Sequence, residues 1–255
     1  IFRKKIEIDD NYLFKINQEV QNNSSEQVEL YPYAQLTRKN IPEDLKGFYI
    51  LHEGFIAVLD EELKEDDYDD IEEKKIVREA SKGWIGITDK YWMTALIPET
   101  GEKFKSTFLY QDAYKANFLL NNPKIIAPST KANNVIKIFV AAKEVQTIDA
   151  YAEKENIEKL DLIIDWGWFY FFTKPLFFAV DYLFKLTGNF GIAIVLITVM
   201  IRLIFFPLAS YSFKSMAKMK ALQPEMARLK DIHKDDKTKL QQAIMALYKK
   251  EQINP

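Results

Sequence analysis

The first 150 residues alternate between apolar and polar side chains, which is the pattern of half-buried β-strands. Tyr12, Phe14 and Ile16, for example, recur at every second position after a turn at 9–11. Further short strands are predicted at 28–31, 48–51, 55–59, 75–78, 84–88, 91–97, 103–110, 113–120 and 134–143. Many short strands separated by turn residues predict an antiparallel β-sandwich, which we assign to residues 1–160.

An acidic interval interrupts this alternation. Residues 61–75 contain nine acidic side chains and three lysines, and we expect them to form a solvated loop between two strands. A calcium site is the alternative use of such a run, but the spacing of the acids does not match a known calcium-binding loop.

The longest apolar run lies at 190–209, and Arg202 is its one charged residue. As a helix this run is about 30 Å long, enough to cross the hydrocarbon core of a bilayer. An arginine near the centre of such a helix costs about 2.5–3.5 kcal/mol, so we predict a functional role for Arg202. The alternative is a buried helix of a soluble protein, with Arg202 in a structural ion pair.

Thr198 precedes Arg202 by one helical turn, and Phe206 follows it by one turn. The three side chains therefore share a helix face, and we expect this face to point into protein or water and away from lipid. Pro207 removes a backbone donor and is predicted to kink the helix.

The segment 161–187, before the apolar run, is rich in aromatic residues but carries Lys174, Asp181 and Lys185. Its charged and apolar residues fall on different helix faces, which predicts an amphipathic helix lying in the membrane interface. The alternative is a first spanning helix that forms a hairpin with a spanning segment at 188–213.

An apolar stripe follows at helical spacing in the region 214–255, and a second stripe follows the turn at 233–236, where an aspartate is the expected N-cap. The first stripe consists of Met216, Met219, Leu222, Met226 and Leu229, and the second of Leu240, Ile244, Leu247 and Tyr248. They predict a hairpin of two helices, truncated here. Its methionines suit either an adaptable contact surface or a core.

The distribution of charged residues along the chain predicts its orientation in the membrane. Residues 210–250 hold ten lysines and arginines against four acids, whereas 151–189 hold six acids against four lysines. Because basic residues mark the cytoplasmic side of a membrane, we predict that 214–255 are cytoplasmic and that 1–160 lie on the opposite, periplasmic side.

Composition excludes several classes of function. The chain has no cysteine and a net charge of −2, so disulfides, thiol nucleophiles and a strong general attraction to nucleic acid are excluded. No phosphate-binding or triad motif is present, and His52 is the one histidine of the β-rich region. Trp84, Tyr91 and Trp92 could line a cleft, although a core role is the alternative. We therefore expect neither an enzyme nor a cofactor or metal site. Both ends of the sequence have the character of a fragment.

Several motifs resemble the YidC family of bacterial membrane protein insertases. The specific block is 188–224, which includes Gly-Asn-Phe-Gly-Ile at 188–192 and Ser-Met-Ala-Lys-Met at 215–219, and Met-Ala-Leu-Tyr-Lys at 245–249 also matches. Others lie at 11–14, 30–33, 82–84, 91–98, 165–168, 174–177, 201–202, 207–208 and 222–224. The resemblance extends over essentially the whole chain.

The resemblance implies a multi-spanning protein of the bacterial inner membrane with a periplasmic β-supersandwich domain. The spanning helix would line a hydrophilic groove, with Arg202 as its positive charge, Thr198 as a lining residue and Phe206 where some relatives carry tyrosine. The implied function is insertion and folding of nascent membrane proteins, alone or with the Sec translocon. Ribosomes or targeting factors would bind the cytoplasmic hairpin, and its candidate contact residues are Met216, Lys218, Met219 and Met226.

Two other functions remain open. One is a membrane-tethered periplasmic sugar-binding or mutarotase-like domain, which would need His52 and a carboxylate facing one pocket. The other is a receptor with a juxtamembrane hairpin, which gives no reason for an arginine in the middle of the span.

Overall fold

The structure is a computed structural model that describes residues 1–42, 45, 51–99, 101–232 and 236–250. The chain divides into two compact units, Ile1–Tyr170 and Phe171–Pro255. The first unit, called the β-domain below, consists mainly of strands, and the second consists of helices. The predicted fold class, a mainly β domain followed by helical segments, is therefore confirmed.

The β-domain contains two antiparallel sheets and a short strand pair. Its strands are β1 (Phe2–Ile8), β2 (Leu13–Gln21), β3 (Val28–Leu30), β4 (Tyr33–Arg38), β5 (Gly54–Leu59), β6 (Glu62–Asp66), β7 (Ile76–Ala80), β8 (Gly83–Thr88), β9 (Trp92–Ile97), β10 (Phe104–Tyr110), β11 (Tyr114–Leu120), β12 (Lys124–Ile126) and β13 (Lys131–Ala142). The larger sheet has the order β1-β2-β13-β9-β8-β5-β6, the smaller one has the order β4-β11-β10-β7, and β12 pairs with β3.

Strand β5 shows how the sequence builds the core. Every residue of β5 is buried, because its two faces pack against different partners. Phe55 and Ala57 point into the core between the two sheets, where Phe104, Phe108 and Phe118 of the smaller sheet meet them. Ile56 and Val58 point the other way, into a second core. The larger sheet is therefore covered on both faces.

The second core is closed by the helix that follows the last strand. Helix α2 (Val145–Lys154) and a 3-10 turn (Leu160–Ile163) place Ile148, Tyr151 and Ile163 against Trp84. The Trp84 side chain is fully buried, and its Nε1 donates to Glu158 O at 3.1 Å. The residues as far as Ile163 thus pack with the β-domain, beyond the expected boundary at 160.

The acidic interval 61–75 is not a loop, so that prediction was wrong. It forms β6 and helix α1 (Tyr68–Glu73), and Tyr68 and Ile71 are buried in the core between the sheets. Asp66 is buried because Arg78 donates to both of its carboxylate oxygens, at 2.5 and 2.7 Å. The two apolar residues and this ion pair hold the acidic segment on the sheet, while the remaining acids face solvent.

Most of the other predicted strands are present, with shifted ends. Strands β4 and β12 were not predicted, and the strand expected at 48–51 falls largely on residues outside the described ones. Strand β12 has only three residues, too few to show an alternation. In β4 the burial does alternate, but its half-buried positions are Ala34, Leu36 and Arg38, of which only Leu36 is a large apolar residue.

The second unit contains four helices within the described residues. They are α3 (Tyr170–Thr187), α4 (Phe190–Ala221), α5 (Gln223–Ile232) and α6 (Lys237–Lys250). A short break separates α3 from α4: Gly188 has φ 67°, which ends α3, and Asn189 Oδ1 caps α4 by accepting from Ile192 N at 3.2 Å.

Helix α4 is long and apolar enough to cross a membrane, with a mean hydropathy of 2.6 in its most apolar window. It continues through Pro207 and past the expected boundary at 213, since residues 214–221 are compatible with a helix. Only 6% of that apolar window is buried. A helix in the core of a soluble protein would be mostly buried, so the exposure argues against that alternative.

Glu155 joins the end of α2 to the larger sheet. Its carboxylate lies 2.8 Å from Lys137 Nζ on β13 and 3.4 Å from Lys15 Nζ on β2, and its side chain is 10% exposed. The hydrogen bond from Lys137 lowers the pKa of Glu155 below its ordinary value of 4.5. A lowered pKa means that the folded state favours the ionised form.

We expect Glu155→Gln to lower the free energy of unfolding of the β-domain by about 1.5–3 kcal/mol at neutral pH, because two lysines lose a charged acceptor. The effect should be complete above pH 4.5 and disappear as the pH falls through the lower pKa of the folded state. Urea unfolding at several pH values measures it. Glu153→Gln, on the exposed side of the same helix, is the control. Equal losses in both variants, or a difference that does not change with pH, would contradict this role.

Candidate functional site

The residues predicted to form a site in the membrane lie on helix α4. Thr198, Arg202 and Phe206 are spaced by four, so the helix brings them to one face, one turn apart. All three are exposed, and Phe206 has 66% of its surface accessible. The face therefore combines a hydroxyl, a guanidinium and an aromatic ring in an otherwise apolar stretch.

The hydroxyl of Thr198 is already used as a donor. Its Oγ1 donates to Ile194 O at 2.7 Å within the same helix, which leaves its lone pairs available as acceptors. Arg202 makes no ion pair with any residue that the structure describes. Its five N–H donors are the strongest hydrogen-bonding groups on this face.

The hairpin of α5 and α6 has one packed side. Met219, Leu222, Met226 and Leu229 are half-buried, as are Leu240, Ile244, Leu247 and Tyr248 on α6. The two helices touch where the Tyr248 hydroxyl approaches Met226 Sδ at 3.6 Å. Asp236 is the N-cap aspartate, and its Oδ1 accepts from Lys239 N at 3.0 Å.

The predicted contact residues of the hairpin are thus not equivalent. Met219 and Met226 belong to its half-buried stripe, whereas Met216 is 49% exposed and Lys218 is also exposed. The side chains that fill the hairpin and those that face outward could not be told apart from the spacing, because both sets recur with a helical period.

The segment that leads into the helices is strongly aromatic. Trp168 is 91% exposed, and Phe169 and Tyr170 are more than half exposed. On α3, Lys185 Nζ pairs with Asp181 Oδ2 at 2.7 Å, one turn apart. Such a pair would lower the cost of placing two charges in a membrane interface, the location predicted for this helix.

The three aromatic residues considered for a cleft in the β-domain separate into two groups. Trp84 is in the core, whereas Tyr91 and Trp92 are 64% and 62% exposed. Trp92 lines a pocket of about 250 Å³ together with Arg38 and Asp89, which form an ion pair at 2.5 Å. No local signal predicts this pair, because the two residues are 51 positions apart, with Arg38 on the smaller sheet and Asp89 in the turn that follows β8 of the larger sheet.

His52 makes close polar contacts with three residues of the β-domain. Its Nε2 lies 3.0 Å from Phe55 O, its Nδ1 lies 3.5 Å from Asp67 Oδ1, and its backbone N–H donates to Asp165 Oδ2 at 3.2 Å. It does not line the pocket beside Trp92. In the described part of the chain, no three His, Asp or Glu side chains come together as metal ligands would.

Comparisons with known proteins agree on one family. A family model described as the YidC periplasmic domain matches residues 1–179, and one described as the 60Kd inner membrane protein matches residues 182–255. A membrane protein insertase YidC from Pelagibacter ubique is 54% identical over 254 residues, covering 100% of this chain and 45% of that protein. One from Brucella melitensis is 44% identical over 261 residues, covering 100% and 43%.

A solved structure described as an active YidC insertase with its first transmembrane domain resolved is 16% identical, covering 100% of this chain and 69% of that one, with a TM-score of 0.30. The chain spans less than half the length of the two curated relatives named above.

The contact between Met226 and Tyr248 predicts a difference between two methionines. Met226→Ala should accelerate amide hydrogen exchange in α6 roughly two- to tenfold, because the hydrogen bond that the Tyr248 hydroxyl donates to Met226 Sδ is lost and such a bond contributes about 0.5–1.5 kcal/mol. Met216→Ala should leave that exchange unchanged, since its side chain is outside the packed stripe. Hydrogen-exchange mass spectrometry of the two variants tests this, and equal acceleration in both would contradict the assignment.

Proposed function

The chain belongs to the YidC family, and we propose that the protein of which it is part inserts and folds nascent proteins of the bacterial inner membrane. The observation that carries this proposal is Arg202, a guanidinium in the apolar part of α4 with no ion pair among the described residues. A membrane helix keeps such a charge at a cost, so its retention favours a role in binding.

The site would act by electrostatic attraction. A guanidinium in a medium of low dielectric constant attracts an acidic, hydrophilic tail far more strongly than it would in water. Thr198, on the same face, can accept hydrogen bonds from such a tail through its free lone pairs. Phe206 would lie on the same face one turn after Arg202, where it offers apolar contact and no hydroxyl.

The energy for insertion would come from the substrate. Holding the polar tail in a hydrophilic groove lowers the cost of moving it partway across the bilayer, and burial of the substrate's apolar helix in lipid then favours completion. No nucleotide or cofactor is needed in this scheme.

The orientation of the chain follows from its charge. We place residues 1–160 in the periplasm and 214–255 in the cytoplasm of a multi-spanning protein, because the basic excess follows the span. The hairpin of α5 and α6 would then meet ribosomes or targeting factors through outward-facing residues such as Met216 and Lys218. The Sec translocon is the partner proposed within the membrane.

A sugar-binding or mutarotase-like role for the β-domain is the weaker proposal. It requires His52 and a carboxylate to face a pocket, but both ring nitrogens of His52 lie close to Phe55 O and Asp67. These contacts favour a structural role for the histidine.

The role of Arg202 can be tested in the full-length protein reconstituted in liposomes. Arg202→Ala is expected to slow insertion of a substrate with an acidic tail roughly tenfold, which corresponds to about 1.4 kcal/mol, with little effect on a substrate whose tail is neutral. Protease protection of the translocated tail measures insertion. Circular dichroism and thermal unfolding confirm that the variant is folded.

Two further variants separate charge from geometry. Arg202→Lys should keep activity, because attraction needs the positive charge more than the planar fork, and Lys214→Ala removes a charge elsewhere on the same helix as a control. Full activity of Arg202→Ala would remove this residue from the mechanism. An inactive Arg202→Lys would instead indicate bidentate recognition.

A further inference from the structure

The strand register brings several turns of the β-domain to one end of the larger sheet. Leu13 pairs with Phe139, Trp92 with Ala142, and Gly54 with Thr88. The β1–β2 turn, the β8–β9 turn, the end of β13 and the start of β5 therefore lie side by side. Backbone hydrogen bonds confirm this: Val140 N donates to Tyr12 O and Lys143 N donates to Tyr91 O. We call this edge the exit end.

The chain leaves the β-domain at the exit end. Asp165 Oδ2 accepts from His52 N at 3.2 Å, just before β5, and Asp165 Oδ1 accepts from Gly167 N at 2.8 Å. The aromatic residues 168–170 follow directly. They continue in sequence toward the apolar helix α4.

The three most exposed tyrosine and tryptophan rings of the sheets and turns lie at this end. Tyr12 in the β1–β2 turn, Tyr91 in the β8–β9 turn and Trp92 at the start of β9 are each 60% exposed or more, and β13 lies between them. Lys90 Nζ lies 5.1 Å from the centre of the Tyr91 ring, so its charge is carried at the tip of the same turn. Rings with an apolar body and a polar edge, next to a lysine, are typical of residues at the headgroup level of a bilayer.

Two of the acidic groups near these turns have partners within the β-domain. Asp9 accepts from the Tyr151 hydroxyl at 2.6 Å and from Leu13 N at 2.9 Å, and Asp89 pairs with Arg38. Asp10 is the exposed acid of the β1–β2 turn. The exit end therefore carries acids as well as rings and lysines, since Glu53 and Asp165 also lie there, near Lys143.

The opposite end of the same sheet carries a network of ion pairs, although Phe2 and Tyr31 are also exposed there. There Lys82 Nζ pairs with Glu61 at 2.7 Å and with Glu158 at 2.9 Å, and Lys159 Nζ donates to Glu61 O at 2.6 Å. Ion pairs of this kind are common on solvated surfaces.

We propose that the exit end of the β-domain, through Tyr12, Tyr91 and Trp92, rests in the headgroup layer of the lipid bilayer. The ring chemistry, the adjoining lysine and the chain's departure from this end toward an apolar helix favour lipid over a soluble partner. The inference rests on the membrane location proposed above but not on the insertase activity.

Depth measurements in the full-length protein test this contact. Lys90→Cys on the β8–β9 turn and Glu99→Cys beyond the other end of β9 are each labelled with an environment-sensitive fluorophore. They are separated by a strand of six residues, roughly 20 Å. The probe is a liposome of phosphatidylethanolamine and phosphatidylglycerol that contains a lipid with a nitroxide on its headgroup.

We expect the nitroxide to quench the label at position 90 at least about threefold more than the label at 99. Similar weak quenching at both positions would overturn the proposal. Protection of position 90 from an aqueous quencher without nitroxide quenching would also overturn it, since this result indicates a protein covering the turn. Insertion activity measured on the same samples separates this outcome from a failure of the proposed function.

A substitution of the rings tests their contribution. Tyr12→Ser combined with Trp92→Ser should reduce lipid quenching at position 90 to the level seen at 99. Tyr31→Ser removes a ring that is 50% exposed near the other end of β1 and should leave the quenching unchanged. Unchanged quenching in the double variant would show that the rings do not make the contact, and thermal unfolding confirms that each variant is folded.

Discussion

The removal of apolar side chains from water is the constraint on which both units of this chain depend. In the β-domain it is met by protein alone: β5 is buried on both faces because a second sheet covers one side and α2 covers the other. In α4 the apolar side chains remain exposed to their surroundings. A helix of that length and composition needs lipid to remove its apolar side chains from water, as the second sheet does for β5.

This constraint makes the charge of Arg202 unusual. In a surface helix of a soluble protein an exposed arginine would be ordinary. On α4 the same exposure places a permanent charge among side chains that favour lipid, where hydration and counter-ions are scarce. A charge kept under these conditions is available to a polar ligand that can reach it, which is why membership in a family of insertases and the chemistry of this helix lead to the same proposal.

The β-domain also shows how one sheet can have two different ends. Ion pairs among Glu61, Lys82 and Glu158 suit one end to water, while Tyr12, Tyr91 and Trp92 give the other an amphipathic surface. The antiparallel register produces this separation, since alternate turns fall on opposite ends of the sheet. The core between the ends needs no such difference and is apolar throughout.

Local sequence determined the elements whose signals are local. The alternation of apolar and polar residues predicts most of the strands, and the apolar run predicts α4. Asn189 and Asp236 cap the helices that they precede. Caps and periodicity are local signals, because they depend on residues a few positions apart. The separation of Thr198, Arg202 and Phe206 also fixed a shared face, since a helix allows no other arrangement. The prediction of a loop for the acidic segment was wrong because the burial of Tyr68 and Ile71 depends on the smaller sheet. No residue near them in the sequence indicates that this sheet covers them. Likewise, only the tertiary structure joined Arg38 to Asp89, separated Trp84 from Trp92, and brought Tyr12 to the same end of the sheet as Tyr91. These contacts arise from strand order and register, which are set by the packing of the whole domain and not by any one stretch of the chain.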